Sequence, residues 1–202
     1  MNGLTFDPEK HEYQLNGLIV PSVTQILDFV GISDFSGIPA DILEYAKIRG
    51  TMVHRATALD DEGSLDEESI DPVIVPYVEA WRKFKKELSF VPVLIERMVY
   101  HPVFGYCGTL DRTGNIEEDY FSEVIIDIKT GTVCVGSVGP QTAAYEEALR
   151  NELGGKKRRR YAVKLFDTGE YRLIPCTNTL DFEVFKNAAS CVNWTNQKHR
   201  RY

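Results

Sequence analysis

The most informative stretch of the chain is Glu123-Val124-Ile125-Ile126-Asp127-Ile128-Lys129-Thr130. Its apolar, β-branched residues predict a buried strand. Because alternate side chains of a strand share a face, Asp127 and Lys129 project together, whereas Ile128 points the other way. Such a pair fits a metal-binding carboxylate beside a lysine that orients or deprotonates water. Taken alone, however, it favours an ordinary ion pair at the end of a strand.

The elements around this strand follow an order typical of a layered α/β domain. The apolar period is helical before residue 91 and alternating after it. Strands are predicted over 91–100, 104–113, 121–129, 159–166 and 170–176. A crossover helix is predicted over about 138–152, and Phe182, Phe185 and Ala189 mark a closing helix. This order predicts an α/β fold in which helices flank a central mixed sheet.

The first 90 residues predict a hairpin followed by helices. Residues 4–20 alternate in polarity around the turn-prone stretch 7–10, which is typical of a β-hairpin. A helix then opens after Pro21. Ser22 can cap its first turn while Gln25, three residues on, reaches back as in a capping box.

Two longer helices are predicted over about 39–59 and 72–88. The stretch between them, 60–71, is so acidic that it predicts a solvated loop. We expect the whole chain, 1–202, to form a single domain. Its N-terminal hairpin and helical part would span 1–90, and its sheet core 91–202.

The net charge of −7 arises in one segment. Residues 60–71 hold seven acidic and no basic side chains, so the rest of the chain is formally neutral. Basic residues cluster at 82–86, 156–160 and 198–201. Local patches set the attraction to a phosphate backbone, so the total charge does not exclude a nucleic-acid partner. The run at 156–160 fits phosphate contacts or a solvated turn before a strand.

Composition argues against several other classes of protein. No apolar run approaches the roughly 20 residues of a membrane-spanning helix, so no membrane partner is expected. The N-terminus lacks the pattern of a signal or transit peptide, which predicts a cytoplasmic protein. No C-x2-C pair occurs among the cysteines, so reduced thiols are expected rather than a zinc ribbon or an iron–sulfur cluster. The four cysteines are Cys107, Cys134, Cys176 and Cys191.

Asp111 is the second candidate carboxylate. It closes the stretch Gly108-Thr109-Leu110-Asp111, just before a turn signal at 113–115. If its strand pairs with that of Asp127, the two carboxylates lie close together and repel each other unless a cation sits between them. Hard oxygen ligands of this kind suit Mg²⁺ or Mn²⁺. By itself, Asp111 could equally cap a turn.

Two helical motifs supply the remaining candidates. Gly50 and His54 are one turn apart, so a close approach at the glycine would let His54 reach a metal ion. A lone helical histidine is more often a packed or surface residue. Gln141 and Tyr145 are one turn apart on the crossover helix. They could hydrogen-bond phosphate oxygens or be ordinary helix-surface residues.

Taken in order, the motifs G-x-x-x-H, G-x-x-D, D-x-K and Q-x-x-x-Y lie on a helix, a strand, a strand and a helix. This ordered set resembles the RecB-like branch of the PD-(D/E)XK nuclease superfamily, which includes phage recombination exonucleases and CRISPR-associated nucleases. The segment 21–27 also resembles phage-type members and the mitochondrial genome maintenance exonuclease. The resemblance covers about residues 20–150. Asp127 stands where glutamate is common, a variation that the family tolerates.

The resemblance implies a restriction-endonuclease-like core, Mg²⁺ or Mn²⁺ as cofactor, and a role for each site residue. The expected metal ligands are His54, Asp111, Asp127 and the carbonyl of Ile128. The expected catalytic residues are Lys129, Asp111, Asp127 and Glu96. Leu94 and Met98 share the predicted face of Glu96, so its direction is open. Gln141 and Tyr145 match the family's motif that positions the DNA strand. The other expected DNA contacts are Ser22, Arg49, Lys157, Arg158 and Arg159. The four-cysteine iron–sulfur pattern of some CRISPR-associated members is absent.

The activity implied by the resemblance is a divalent-metal-dependent DNA exonuclease in recombination, repair or processing of phage or mobile-element DNA. A lowered pKa would suit Lys129 as a base toward the attacking water. The expected partners are single- or double-stranded DNA ends and a recombination or single-strand-annealing protein, in the cytoplasm of a bacterium or a phage-infected cell. The oligomeric state is left open. A structure- or sequence-specific endonuclease and a catalytically inactive nucleic-acid-binding domain are the alternatives.

Overall fold

The computed structural model of the chain describes residues 3–33, 37–116, 123–131 and 135–199. Within these ranges a small three-stranded antiparallel sheet precedes a five-stranded mixed sheet, and helices flank the larger sheet. The predicted α/β class with a mixed sheet is confirmed. Four predicted features fall partly outside the described residues. They are the first residues of the strand over 121–129, Cys134, the side chain of Lys198 and the rest of the basic cluster up to 201.

The N-terminal sheet contains the predicted hairpin and one further strand. β1 (Leu4–Asp7) pairs with β2 (Glu12–Leu15), and β2 pairs with β3 (Leu18–Val20). Asp7 closes the predicted turn, since its Oδ1 accepts the backbone N–H groups of Glu9 and Lys10. The sheet therefore forms from local turn chemistry, and its third strand extends it toward the first helix.

Helix α1 (Val23–Phe29) begins with the predicted capping box. Ser22 Oγ accepts the N–H of Gln25 at 3.2 Å, and Gln25 Oε1 accepts the N–H of Ser22 at 2.9 Å. Two backbone donors of the helix start, which have no partner inside the helix, are satisfied in this way. The capping box fixes where α1 begins.

The next helices agree with the predicted spans to within a few residues. α2 covers Ala40–Asp61, a short 3₁₀ helix covers Glu67–Ser69, and α3 covers Val75–Glu87. The solvated-loop prediction for 60–71 is wrong at its start, because α2 continues through Asp60 and Asp61. The carboxylate of Asp61 is fully buried and pairs with Lys85 and Arg112, so these charges belong to the protein interior.

The large sheet has the strand order β4-β5-β6-β7-β8. β6 and β7 run parallel, and the other neighbouring pairs are antiparallel. Helix α4 makes the crossover between the parallel strands, as predicted, and α5 closes the chain. The bounds are β4 Val91–His101, β5 Tyr106–Asn115, β6 Val124–Lys129, β7 Arg159–Leu165, β8 Tyr171–Pro175, α4 Val135–Leu153 and α5 Asp181–His199.

Apolar cores form on both faces of this sheet. Trp81 and Phe84 of α3 pack with Ile126 and Ile128 on one face. Tyr145 of α4 and Phe185 of α5 belong to the core that covers the other face. Burying both faces of β6 explains its continuous apolar sequence and leaves its polar residues only at the carboxyl end. None of the helices that the structure describes is long and apolar enough to cross a bilayer.

Candidate metal centre

Strand β6 ends in the predicted pair of charged side chains. Lys129 Nζ lies 2.8 Å from Asp127 Oδ2, so the two residues share a face as the alternation predicts. Asp127 is almost fully buried. Apart from this ion pair, neither of its carboxylate oxygens accepts a hydrogen bond from any residue that the structure describes. A buried carboxylate that keeps an oxygen without a partner is destabilising unless a further cation approaches it.

Asp111 lies inside β5, which continues to Asn115, so the alternative that it caps a turn is wrong. Its Oδ2 accepts the backbone N–H of Ile128 at 2.6 Å. The last paired residues of β5 and β6 in this direction are Arg112 and Ile126, which brings Asp111 beside Asp127. The two carboxylates predicted to lie close are therefore neighbours across the strands.

The side chain of His54 reaches from α2 into the same place. Its Nε2–H donates to the carbonyl oxygen of Ile128 at 3.1 Å. Its Nδ1 lies 3.4 Å from Asp111 Oδ1 and 3.6 Å from Glu96 Oε1. Gly50 is not needed for this approach, because a Cβ there would make only an ordinary 3.7 Å contact with Thr130. The proposed reason for that glycine is therefore not supported.

Glu96 points into the site despite its predicted face. Its φ is +45°, in the left-handed region that non-glycine residues rarely adopt, and the pairing of β4 with β5 shifts register between Pro92 and Leu94. One ligand atom each from His54, Glu96 and Asp111 lie within 4.8 Å of one another. These three side chains could hold a metal ion. Asp127 lies beside this group but is not part of it. Glu96 is therefore a candidate metal ligand, a role that the sequence analysis gave to Asp127 and not to Glu96.

Mutual repulsion and attraction shift the pKa values of the site. Burial, with repulsion from Asp127 and Glu96, raises the pKa of Asp111 to about 6, although His54 opposes the shift. Burial alone would lower the pKa of His54, but Asp111 and Glu96 outweigh it and raise the value to about 9. The protonated imidazole of His54 therefore partly neutralises the negative charge of Asp111 and Glu96.

The pKa of Lys129 is raised rather than lowered. Burial opposes its charge, but the carboxylates of Asp127 and Asp111 stabilise the ammonium by more. A lowered pKa, which would suit Lys129 as a base, is therefore not what this arrangement produces. Lys129 is a charged donor at neutral pH, which suits it to hold a water molecule or a phosphate oxygen.

Helix α4 places Gln141 and Tyr145 next to Lys129. Gln141 Oε1 accepts a hydrogen bond from Lys129 Nζ at 3.2 Å, and Gln141 Nε2 donates to the Tyr145 hydroxyl at 3.4 Å. Tyr145 is buried, which raises its pKa well above the ordinary value, so the phenol is neutral. The Q-x-x-x-Y motif is thus connected to the catalytic candidate by a chain of hydrogen bonds rather than lying on the helix surface.

The other predicted DNA contacts are scattered. Arg49 lies at the end of β6, where its Nη2 donates to the carbonyl oxygen of Thr130 at 3.3 Å. Ser22 is buried, and its hydroxyl is engaged in the capping box of α1. Of these two, only Arg49 borders the candidate centre through a contact that the structure records.

The basic run 156–160 lies at the opposite end of β6 and β7. Arg159 pairs with Val124, five residues before Lys129, which is roughly 16 Å along a strand. Arg158 is held by Glu123, with Nε 2.7 Å from Oε2. Lys157 is exposed. This run is therefore separate from the candidate centre, and part of its charge is already neutralised.

Sequence reasoning missed the residues that support Glu96. The guanidinium of Arg112 donates to Glu96 Oε1 at 2.8 Å and to Asp61 Oδ2 at 2.7 Å, and its side chain is fully buried. An arginine inside a strand, directly after a candidate ligand, was the available signal. Its acidic partner was hidden in a stretch assigned to solvent.

The donor set fits a divalent cation. Carboxylate oxygens, a backbone carbonyl and one imidazole meet at a partly buried position, and among the described residues the oxygens of Asp127 have no hydrogen-bond partner beyond the ion pair with Lys129. Carboxylate, carbonyl and water ligands suit Mg²⁺ and Mn²⁺, and an imidazole shifts the preference toward Mn²⁺. No protein-family model and no curated protein sequence matches this chain.

Proposed function

We propose that the protein is a divalent-metal-dependent DNA exonuclease with a restriction-endonuclease-like core, which hydrolyses phosphodiester bonds. The observation that carries this proposal is the convergence of His54, Glu96 and Asp111 beside the Asp127–Lys129 pair. These residues come from α2, β4, β5 and β6, so the fold gathers them from distant parts of the chain. Acidic side chains gathered around one lysine repel one another and destabilise the folded state. A purely structural role does not explain why the fold brings them together.

His54, Glu96 and Asp111 would hold the metal ion, with Asp127 and the Ile128 carbonyl at its border. A bound divalent ion would polarise the scissile phosphate and lower the pKa of a coordinated water molecule. The remaining work falls to the protein's own side chains. Asp111 is fixed by the N–H of Ile128, which keeps one oxygen turned away from solvent and directs the other toward His54.

Lys129 would orient the attacking water and stabilise negative charge that develops on the phosphate. Its ammonium is held between Asp127 and Gln141, so its position is fixed before the substrate binds. Gln141 and Tyr145 would position the strand by hydrogen bonds to phosphate oxygens. Arg49, beside the end of β6, supplies a further positive charge at the same edge.

The test is degradation of end-labelled DNA by the purified protein. We expect cleavage with Mg²⁺ or Mn²⁺ and none in EDTA, with Asp111→Asn and Lys129→Met reducing the rate at least about 100-fold. Lys186→Met is the control, because Lys186 lies on α5, where its ammonium pairs with Glu183, and its loss should leave activity unchanged. Full activity in EDTA or in Lys129→Met would refute the proposal.

Three substrates separate the alternatives within this proposal. An exonuclease degrades linear DNA from its ends and spares covalently closed circles, whereas an endonuclease cuts both. Binding of DNA without turnover in Mn²⁺ would instead indicate a nucleic-acid-binding domain. RNA of the same sequence tests the preference for DNA.

A further inference from the structure

The guanidinium of Arg112 is enclosed by the protein and uses its donors in several directions. Nε donates to Asp61 Oδ2 at 2.7 Å, Nη2 to Thr57 Oγ1 at 3.2 Å, and Nη1 to Glu96 Oε1 at 2.8 Å. Nη1 also donates to the carbonyl oxygen of Asp111 at 2.6 Å. One buried side chain therefore contacts Glu96 and the backbone of Asp111, two of the three candidate ligands.

Asp61 balances the charge of Arg112. Its carboxylate is fully buried and also accepts hydrogen bonds from Trp81 Nε1 at 3.0 Å and Lys85 Nζ at 2.6 Å. The Trp81 ring centroid lies 5.7 Å from the guanidinium carbon. A charge-assisted pair with this many fixed partners has little freedom to move, so Arg112 presents Nη1 at a set position.

The carboxylate of Glu96 stays in the site only if another group holds it there. Its backbone has a φ of +45°, and a non-glycine residue held in this region is strained. Its side chain is 35% exposed, so a relaxed strand would let the carboxylate turn into solvent. The hydrogen bond from Arg112 opposes that relaxation and keeps the carboxylate beside His54 and Asp111.

We infer that Arg112, neutralised by Asp61, is a positioning residue that holds Glu96 as a metal ligand. This inference rests on the proposed function and adds the support behind its ligand set. The affinity for the metal ion then depends on the ion pair between Asp61 and Arg112, neither of which is a metal ligand. Partners that orient ligands in this way commonly change metal affinity by about 10–100-fold when they are lost.

The test measures Mn²⁺ binding alone, by calorimetry and by the electron paramagnetic resonance signal of bound Mn²⁺. Removing one member of a buried pair would leave an uncompensated charge, so both are replaced together in Asp61→Asn with Arg112→Met. We expect this double variant to stay folded and to bind Mn²⁺ about 10–100-fold more weakly. The matched control is Asp60→Asn with Arg82→Met, which removes the neighbouring pair between α2 and α3.

A second comparison separates positioning from a general loss of structure. If Arg112 acts through Glu96, the double variant should weaken Mn²⁺ binding by less than about twofold when Glu96→Gln is already present. Multiplying losses would overturn the inference, and so would wild-type affinity in the double variant. Lack of Mn²⁺ binding by the unaltered protein would instead overturn the proposed function, and this inference with it.

Thr57→Val carries the test if the double variant does not fold. It removes the hydroxyl that accepts from Arg112 Nη2 without changing any charge. A loosened guanidinium should weaken Mn²⁺ binding severalfold, and this effect should vanish in the Glu96→Gln background. Unchanged binding by Thr57→Val would contradict the inference.

Discussion

The ring of Tyr145 occupies the space in which any side chain at Gly108 would begin. A Cβ on Gly108 would lie 2.7 Å from Cε1 of Tyr145 and 3.5 Å from its hydroxyl oxygen. Gly108 precedes Asp111 by three residues on β5, and Tyr145 follows Gln141 by one turn on α4. Strand and helix thus approach closely at the candidate site because this position lacks a side chain.

Gly108→Ala should therefore displace Tyr145 and strain the contact between β5 and α4. We expect the free energy of unfolding to fall by about 1–3 kcal/mol, as for other overpacked cores, and the proposed nuclease activity to fall with it. Urea unfolding measures the first effect and DNA degradation the second. Gly37→Ala is the control, since a Cβ there meets nothing within 4 Å. Equal stability of the two variants would contradict the packing argument.

Tyr145→Phe should impair substrate binding more than metal binding. The hydroxyl of Tyr145 contacts Gln141 and none of the candidate ligands, so its loss should raise the KM for DNA severalfold and leave Mn²⁺ affinity within about twofold. Steady-state kinetics and calorimetry give the two values. Tyr161→Phe, on β7, should change neither. A large loss of Mn²⁺ affinity in Tyr145→Phe would assign the phenol to the metal centre instead.

The backbone of Glu96 predicts an unusual order of stability. Glycine tolerates a φ of +45° and alanine does not, so Glu96→Gly should be more stable than Glu96→Ala by about 1 kcal/mol, although glycine normally weakens a strand. Both variants should lose Mn²⁺ affinity, because both lack the carboxylate. Chemical unfolding of the two proteins provides the comparison. The reverse order of stability would show that the strained backbone is not present in solution.

His101 predicts a loss of stability in mild acid. Burial lowers its pKa below the ordinary 6.5, and its Nδ1 accepts the N–H of Phe104 at 3.3 Å. The unfolded chain takes up a proton near pH 6.5 and the folded chain only at lower pH, so acidification through this range favours unfolding. His101→Gln should flatten the dependence of the unfolding free energy on pH between about 6.5 and 5. Equal slopes for the wild type and His101→Gln in this range would contradict the prediction.

Features that depend on neighbouring residues were predictable from the sequence. The capping box of Ser22 and Gln25 is a three-residue pattern, and the shared face of Asp127 and Lys129 follows from the twofold period of a strand. The mixed sheet followed from the change of period near residue 91 and from a helix between two apolar strands. In each case the free energy that decides the structure lies within one element or between adjacent ones.

Features that depend on residues far apart in the sequence could not be predicted from the sequence. Asp61 lies in an acidic stretch that is typical of a solvent-exposed loop. It is buried because it pairs with the buried guanidinium of Arg112, 51 positions later in the chain. Glu96 shares its nominal strand face with Leu94 and Met98, and only a left-handed backbone turns its carboxylate toward His54.

By itself, the sequence determined the α/β class, the start of α1, and the residue types that could bind a cation. The tertiary structure alone decided which carboxylates lie beside His54 and that the pKa of Lys129 rises. The physical reason is that side-chain alternation and capping act over a few residues. Charge pairing, desolvation and backbone strain depend on which groups the packed chain brings within a few ångströms of one another.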